Sequence, residues 1–189
     1  MEKIDFDDIS LEYGKGDTRF EALCHMDFQV KAGEFISIIG SSGCGKSTTL
    51  SILAGLQTPT KGKLLIDGQE CLGTGTNRGV VFQHYSLFPW MTAMENVRFG
   101  IQQADREITK RRASEIAGEY LERVGLTEFE NTYPFQLSGG MQQRVAIART
   151  MAMKPEILLL DEPFGAIDAR NRILLQDFLQ NILQREEQN

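Results

Sequence analysis

Apolar and polar positions alternate or cluster in ways that divide the chain into elements. Ile4, Phe6, Ile9 and Leu11 precede a polar stretch, residues 14–19, and a second apolar segment occupies residues 23–30. This spacing predicts strands and turns over residues 3–31. The run Phe35-Ile36-Ser37-Ile38-Ile39, bounded by Gly33 and Gly40, predicts a short buried strand. Leu50, Ile52, Leu53 and Leu56 fall at helical spacing within residues 48–56. Residues 63–66, followed by Asp67-Gly68, predict a strand and a tight turn, and residues 79–82 predict another buried strand. Beyond this point the character changes. Residues 92–125 are helical in pattern, with a charged segment over 105–123. Tyr133-Pro134-Phe135-Gln136 interrupts, residues 141–153 are helical again, and Ile157-Leu158-Leu159-Leu160 predicts a buried strand. Residues 169–187 form an amphipathic helix with Leu175, Phe178, Leu179, Ile182 and Leu183 on one face. There is no internal repeat. The pattern predicts one α/β domain over residues 1–189. Its core, 1–83 and 153–189, is interrupted by a helical lobe over about 84–152.

A length of 189 residues suits one α/β core with an inserted lobe. The net charge of −6 argues against a nucleic-acid groove as the main function. The three cysteines, Cys24, Cys44 and Cys71, are an odd, sparse set without metal-ligand spacing, which fits a reducing cytoplasm. No apolar run approaches the ~20 residues of a membrane span, and the acidic start MEKIDFDD is unlike a signal peptide. Service to a membrane would therefore pass through a partner. His25 and His84 have no ligands at metal spacing and read as packing or surface residues.

Candidate chemistry begins at residues 40–48, GSSGCGKST. Gly40, Ser41, Ser42, Gly43, Cys44, Gly45, Lys46, Ser47 and Thr48 satisfy G-x-x-x-x-G-K-[ST] between a predicted strand and a predicted helix. Glycines let the backbone curl until N–H groups point at phosphate oxygens, and the following helix adds its positive end. Lys46 supplies a mobile charge for β- and γ-phosphates, and the Ser47 hydroxyl is an oxygen ligand for Mg²⁺. The apolar strand 157–160 ends in Asp161-Glu162-Pro163. Asp161 is placed to hold Mg²⁺ directly or through water, and Glu162 to polarise the water that attacks the γ-phosphate. In residues 137–144, LSGGMQQR, Ser138, Gly139 and Gly140 open a helix and form a second anion-binding N-terminus. The simplest use of a second such end is a nucleotide held by another subunit.

Together these three elements resemble the ATP-binding cassette (ABC) transporter ATPases over nearly the whole chain, with LSGGMQQR similar to that family's signature. The resemblance implies a phosphate-loop core with an antiparallel β region and an inserted helical lobe. It implies ATP and Mg²⁺, and a head-to-tail dimer in which each ATP lies between one phosphate loop and the other copy's Ser138-Gly139-Gly140. A monomer should then bind ATP but turn it over slowly. Gln83 matches the glutamine that touches Mg²⁺ or the attacking water. Residues 165–168, ending in Asp168, match the loop that crosses the dimer interface, and Tyr13 matches the aromatic that stacks on adenine, with Phe20 the competing candidate. The partners implied are a second ATPase subunit, a membrane permease and, indirectly, a solute-binding protein, with no nucleic acid. The location implied is cytoplasmic, peripheral on the inner face of the membrane. GVVFQ, LFPW and MENV resemble the nitrate, sulfonate and taurine importer branch. A soluble ABC ATPase acting on DNA or the ribosome, and an ATP-binding module with little turnover, are the alternatives.

The aromatic, proline-broken stretch after Gln83, residues 84–92, has two readings: lobe core, or a groove for a helix of the membrane subunit. Cys44 lies inside the phosphate loop, so its alkylation is expected to block nucleotide binding and ATP to protect it. No histidine follows His84. The resemblance therefore implies that the family's γ-phosphate histidine and the C-terminal part of the core are missing from residues 1–189. The expectation is weak ATP–Mg²⁺ binding and little turnover by these residues alone.

Overall fold

The computed structural model describes residues 2–14, 16–82, 86–163 and 172–173. The expected helix over 169–187 lies outside these residues except for Arg172 and Ile173, which are helical. The chain divides into two compact units, residues 1–75 and 76–189.

In the first unit, β1 (Glu2–Tyr13) and β2 (Phe20–Lys31) form an antiparallel hairpin. Strand β3 (Lys61–Ile66) pairs with the other edge of β1, and β4 (Gln69–Glu70) follows it, giving the order β2-β1-β3-β4. The Asp67-Gly68 turn between β3 and β4 has φ of 51° and 74°, both central residues in the left-handed region that suits a two-residue hairpin loop. Period-two patterning buries Ile4 and Phe6, and the Phe6 ring stacks on Phe28 across the hairpin at 4.4 Å. Beyond Phe6 the register slips. Asp8 and His25 sit at the slips with positive φ, and their side chains meet at 2.6 Å. The helix α1 (Lys46–Leu53) buries Thr49, Ile52 and Leu53.

The expectation of a buried strand over 35–39 is overturned. No strand forms there, Phe35 is 73% exposed and Ile39 90% exposed. An apolar run becomes a buried strand only when neighbouring strands complete its ladder. Among the described residues none pairs with this segment.

In the second unit, β5 (Arg78–Val81) and β6 (Ile157–Leu160) run parallel, with Arg78 opposite Ile157 and Val81 opposite Leu160. Parallel neighbours need a long crossover. Here it carries α2 (Ala93–Ala104), α3 (Lys110–Arg123) and α4 (Gly139–Ala152). Thr92 and Glu95 form a capping box at the start of α2, and Thr109 caps α3. Val97, Ile101, Ala117, Leu121, Val145 and Ile147 close a core against Val81, with Leu158 and Leu160 packed on it. The crossover between the two strands is thus helical, with a break over residues 105–109 in the span 92–125 expected to be helical.

Candidate nucleotide-binding site

The phosphate loop is built from residues whose side chains are small for a reason. Gly43 and Gly45 have φ of 81° and 96°, the left-handed conformation that a side chain resists. A Cβ at Gly45 would also stand 2.6 Å from Leu23 Cδ2 and 2.8 Å from the Ala22 carbonyl oxygen, so the loop lies directly on β2. Gly45 is the residue that enters α1, and no side chain caps the first turn. The first helical bond runs from Thr49 N–H to the Gly45 carbonyl at 2.8 Å. Intrahelical bonding therefore begins at Thr49.

Lys46 closes the loop on itself. Its Nζ donates to the carbonyls of Gly40 at 2.9 Å and Ser41 at 2.8 Å, with Cys44 Sγ 3.9 Å away. A second tie runs from Cys44 N–H to the Ser41 carbonyl. The ammonium is thereby held against the loop, and it and the positive end of the helix each attract an anion. Gly40, Ser41, Ser42, Gly43, Cys44 and Ser47 are exposed, and Gly45, Lys46 and Thr48 half-buried.

Tyr13 and Phe20 are directly opposite each other at the end of the hairpin, and both are exposed. The two candidates for an adenine platform thus share one rung. Tyr13 is the anchored member: its hydroxyl donates to Gln57 Oε1 at 2.6 Å, just after the end of α1.

At the other acidic motif, Asp161 N–H donates to the Val81 carbonyl at 2.9 Å, which carries the parallel ladder one residue past β6. Glu162 then adopts φ of 49°. A non-glycine residue held there stores roughly 1–3 kcal/mol of strain, a feature that clusters at working sites. Asp161 is half-buried and Glu162 exposed. A carboxylate on a strand end is a hard oxygen donor for a divalent cation, and an exposed neighbour can take a proton from water.

Ser138 is the N-cap of α4, its Oγ accepting from Met141 N–H at 3.3 Å. The side chain of Gln142, a residue that sequence reasoning gave no role, donates to the carbonyls of Pro134 at 2.9 Å and Leu137 at 3.1 Å. It fixes the approach of the chain to Gly139 and Gly140. Its only signal in the sequence is a glutamine in the first turn of a helix that follows a proline-broken segment. Gln83 and Asp168 lie outside the described residues. Cys24 carries a hydrogen bond to Glu21 that pushes its thiol above the ordinary value, with the Glu21 charge adding to it.

A curled loop with a lysine at an uncapped helix start, and an acid pair ending a parallel strand, define a phosphate-loop nucleotide-binding protein. Comparison with known proteins carries this further. The family model for ABC transporters matches residues 23–165. An uncharacterised ABC transporter ATP-binding protein of Methanocaldococcus jannaschii is 49% identical over 185 residues, 98% of this chain and 68% of that protein. The nitrate import ATP-binding protein NrtD of Synechocystis is 48% identical over 164 residues, 87% of this chain and 61% of that protein. The nitrate transport protein NasD of Klebsiella oxytoca is 46% identical over 177 residues, 93% of this chain and 68% of that protein. A dimeric ATP-binding cassette, solved in a post-hydrolysis state with ADP and Pi, matches with a TM-score of 0.89 at 34% identity, covering 97% of this chain and 84% of that one. The chain belongs to the ABC transporter ATP-binding family, and it is an ATPase of that family.

Proposed function

We propose that this chain is the ATP-hydrolysing subunit of an importer for a small solute, an anion of the nitrate, sulfonate or taurine kind. The observation that carries the reading is the uncapped start of α1, with Lys46 fixed over the loop carbonyls. The anionic cargo is favoured by the likeness to NrtD and NasD.

The roles follow from the chemistry of each group. Backbone N–H groups at the start of α1 and the Lys46 ammonium bind the β- and γ-phosphates of ATP. The Ser47 hydroxyl, the Asp161 carboxylate and Gln83 are oxygen donors of the kind that would hold Mg²⁺, which would supply charge neutralisation on the phosphates. Glu162 accepts the proton of the attacking water, and Tyr13 stacks on adenine. Residues 1–83 and 153–189 make the nucleotide-binding core, and about 84–152 the lobe. Two copies assemble head to tail, so that Ser138, Gly139 and Gly140 of one close on the γ-phosphate held by the other, and Asp168 lies at that interface. ATP then favours the closed dimer and hydrolysis releases it, a population shift with mechanical output. The solvent-facing aromatic segment around Trp90 contacts the permease. No helix among the described residues is long and apolar enough to cross a membrane. Membrane association is therefore assigned to the permease, which a solute-binding protein supplies.

Reconstitution with a permease of that importer class from the same organism tests the reading. Nitrate, sulfonate or taurine uptake that needs ATP and disappears in Glu162→Gln is expected. A permease that neither retains the chain on purification nor raises its ATP turnover contradicts it.

A further inference from the structure

One fully buried polar side chain in the helical lobe belongs to none of the chemistry above. Asn96, in the first turn of α2, is 0% exposed and still satisfies its amide. Its Oδ1 accepts from Phe88 N–H at 2.9 Å. Its Nδ2 faces three carbonyls, those of Phe88 at 3.2 Å, Met91 at 3.0 Å and Thr92 at 3.0 Å. Reversing the amide would set its NH₂ against an N–H and its oxygen against three oxygens, so the network fixes the orientation. The partners belong to one turn, closed by Met91 N–H on the Phe88 carbonyl, with Pro89 and Trp90 between them.

The turn presents Trp90, which is 69% exposed. Its ring packs on Phe88 at 5.6 Å, and Phe88 in turn meets Phe99 edge-on at 4.9 Å. From α4, Arg149 lies over the Phe88 ring at 5.6 Å and donates to the Ser86 carbonyl at 3.0 Å. A large apolar side chain is thus held out in solvent by a turn anchored at both ends. Solvation alone gives no reason to immobilise it, because an exposed tryptophan on a loose turn would collapse onto the nearest apolar surface. A rigid aromatic presented this way lowers the ordering cost of a contact.

We propose that Asn96 is a positioning residue: it locks the Phe88–Thr92 turn so that Trp90 meets the permease subunit as a preformed contact. The identity of the partner rests on the importer reading above; the locking of the turn does not. On this view Asn96 contributes little to nucleotide binding and much to the response of turnover to the permease.

Trp90 is the only tryptophan, so its fluorescence reports the turn directly. In the wild-type chain, time-resolved anisotropy of Trp90 should decay with overall tumbling. In Asn96→Ala a fast local component should appear. The Phe88 amide should exchange with solvent at least about 10-fold faster while core amides of α4 keep their protection. Asn96→Asp keeps the acceptor for Phe88 N–H but sets a carboxylate against three carbonyls, so it should free Trp90 as well. ATP affinity should stay at the wild-type value in both, whereas permease-stimulated turnover should fall to the unstimulated rate, as it should in Trp90→Ala, which leaves the turn intact. A Trp90 that remains rigid in both Asn96 variants overturns the proposal. A Trp90 that is freed while Asn96→Ala and Trp90→Ala respond normally to the permease upholds the locking and overturns the permease as the partner.

Discussion

Helices α1 and α4 both begin in glycine-rich turns, yet their first turns are finished in opposite ways. Ahead of α1 stands Gly45 with φ of 96°, no side chain caps the turn, and a lysine is pinned above it by two carbonyls. Ahead of α4 stands Ser138, whose hydroxyl satisfies Met141 N–H, while Gln142 secures the entering chain. The first arrangement leaves donors to an outside anion and adds a positive charge. The second satisfies one of its first-turn donors, Met141 N–H, with its own cap and adds no charge within its first turn. At eight residues α1 is too short to be stable alone, so Thr49, Ile52 and Leu53 must hold it by packing. The difference teaches that the two ends are unequal partners. On the proposed reading, the α1 end would capture nucleotide by itself and the α4 end would recognise one already captured.

Several substitutions would break or sharpen this contrast. The largest effect is expected at neither helix. Glu162→Gln should lower turnover by about 10²–10⁴-fold, the usual worth of a general base, with ATP affinity unchanged in a binding titration. Next is Lys46→Ala, which removes a charged donor worth about 1.5–3 kcal/mol, so the dissociation constant for ATP should rise by roughly 10–150-fold at unchanged circular dichroism. Alkylation of Cys44, beside Lys46 in the loop, should abolish nucleotide binding, and saturating ATP should slow the reaction several-fold. Cys24 is the internal control. The Glu21 hydrogen bond raises its thiol, so it holds less thiolate at neutral pH and should label slowly, with or without ATP; its rate should climb as pH rises through the raised value. Equal protection of both cysteines by ATP would remove the special status of the α1 loop. The smallest effect is Ser138→Ala, which should cost about 1 kcal/mol of stability in a denaturant titration.

What the sequence disclosed depended on how local its cause was. The Ser138 cap and the Asp67-Gly68 turn are set by neighbouring residues, and each appears where the pattern put it. Residues 35–39 failed because their burial depended on strands elsewhere in the chain, a property that apolar character does not encode. Tyr13 and Phe20 competed in the sequence because seven positions separate them, whereas the hairpin register sets them side by side. Asn96 gave no signal, since a polar residue near a helix start reads as solvated, and only the turn folded back over it makes it a buried anchor. The strain at Glu162 was equally silent: nothing in an Asp-Glu-Pro string announces a positive φ.

The central claim, that the two helix starts are unequal, is tested most directly by Ser138→Asp. Aspartate caps a helix as well as serine does, so α4 should keep its start while presenting a negative charge where a phosphate would come. ATP would be titrated at a chain concentration too low for association, and ATP-driven dimerisation then followed at high concentration by analytical ultracentrifugation. The account predicts an ATP affinity within about twofold of wild type for the dilute Ser138→Asp chain, and loss of the ATP-driven dimer through like-charge repulsion of several kcal/mol. An affinity in the dilute chain that falls as far as it does in Lys46→Ala would contradict it.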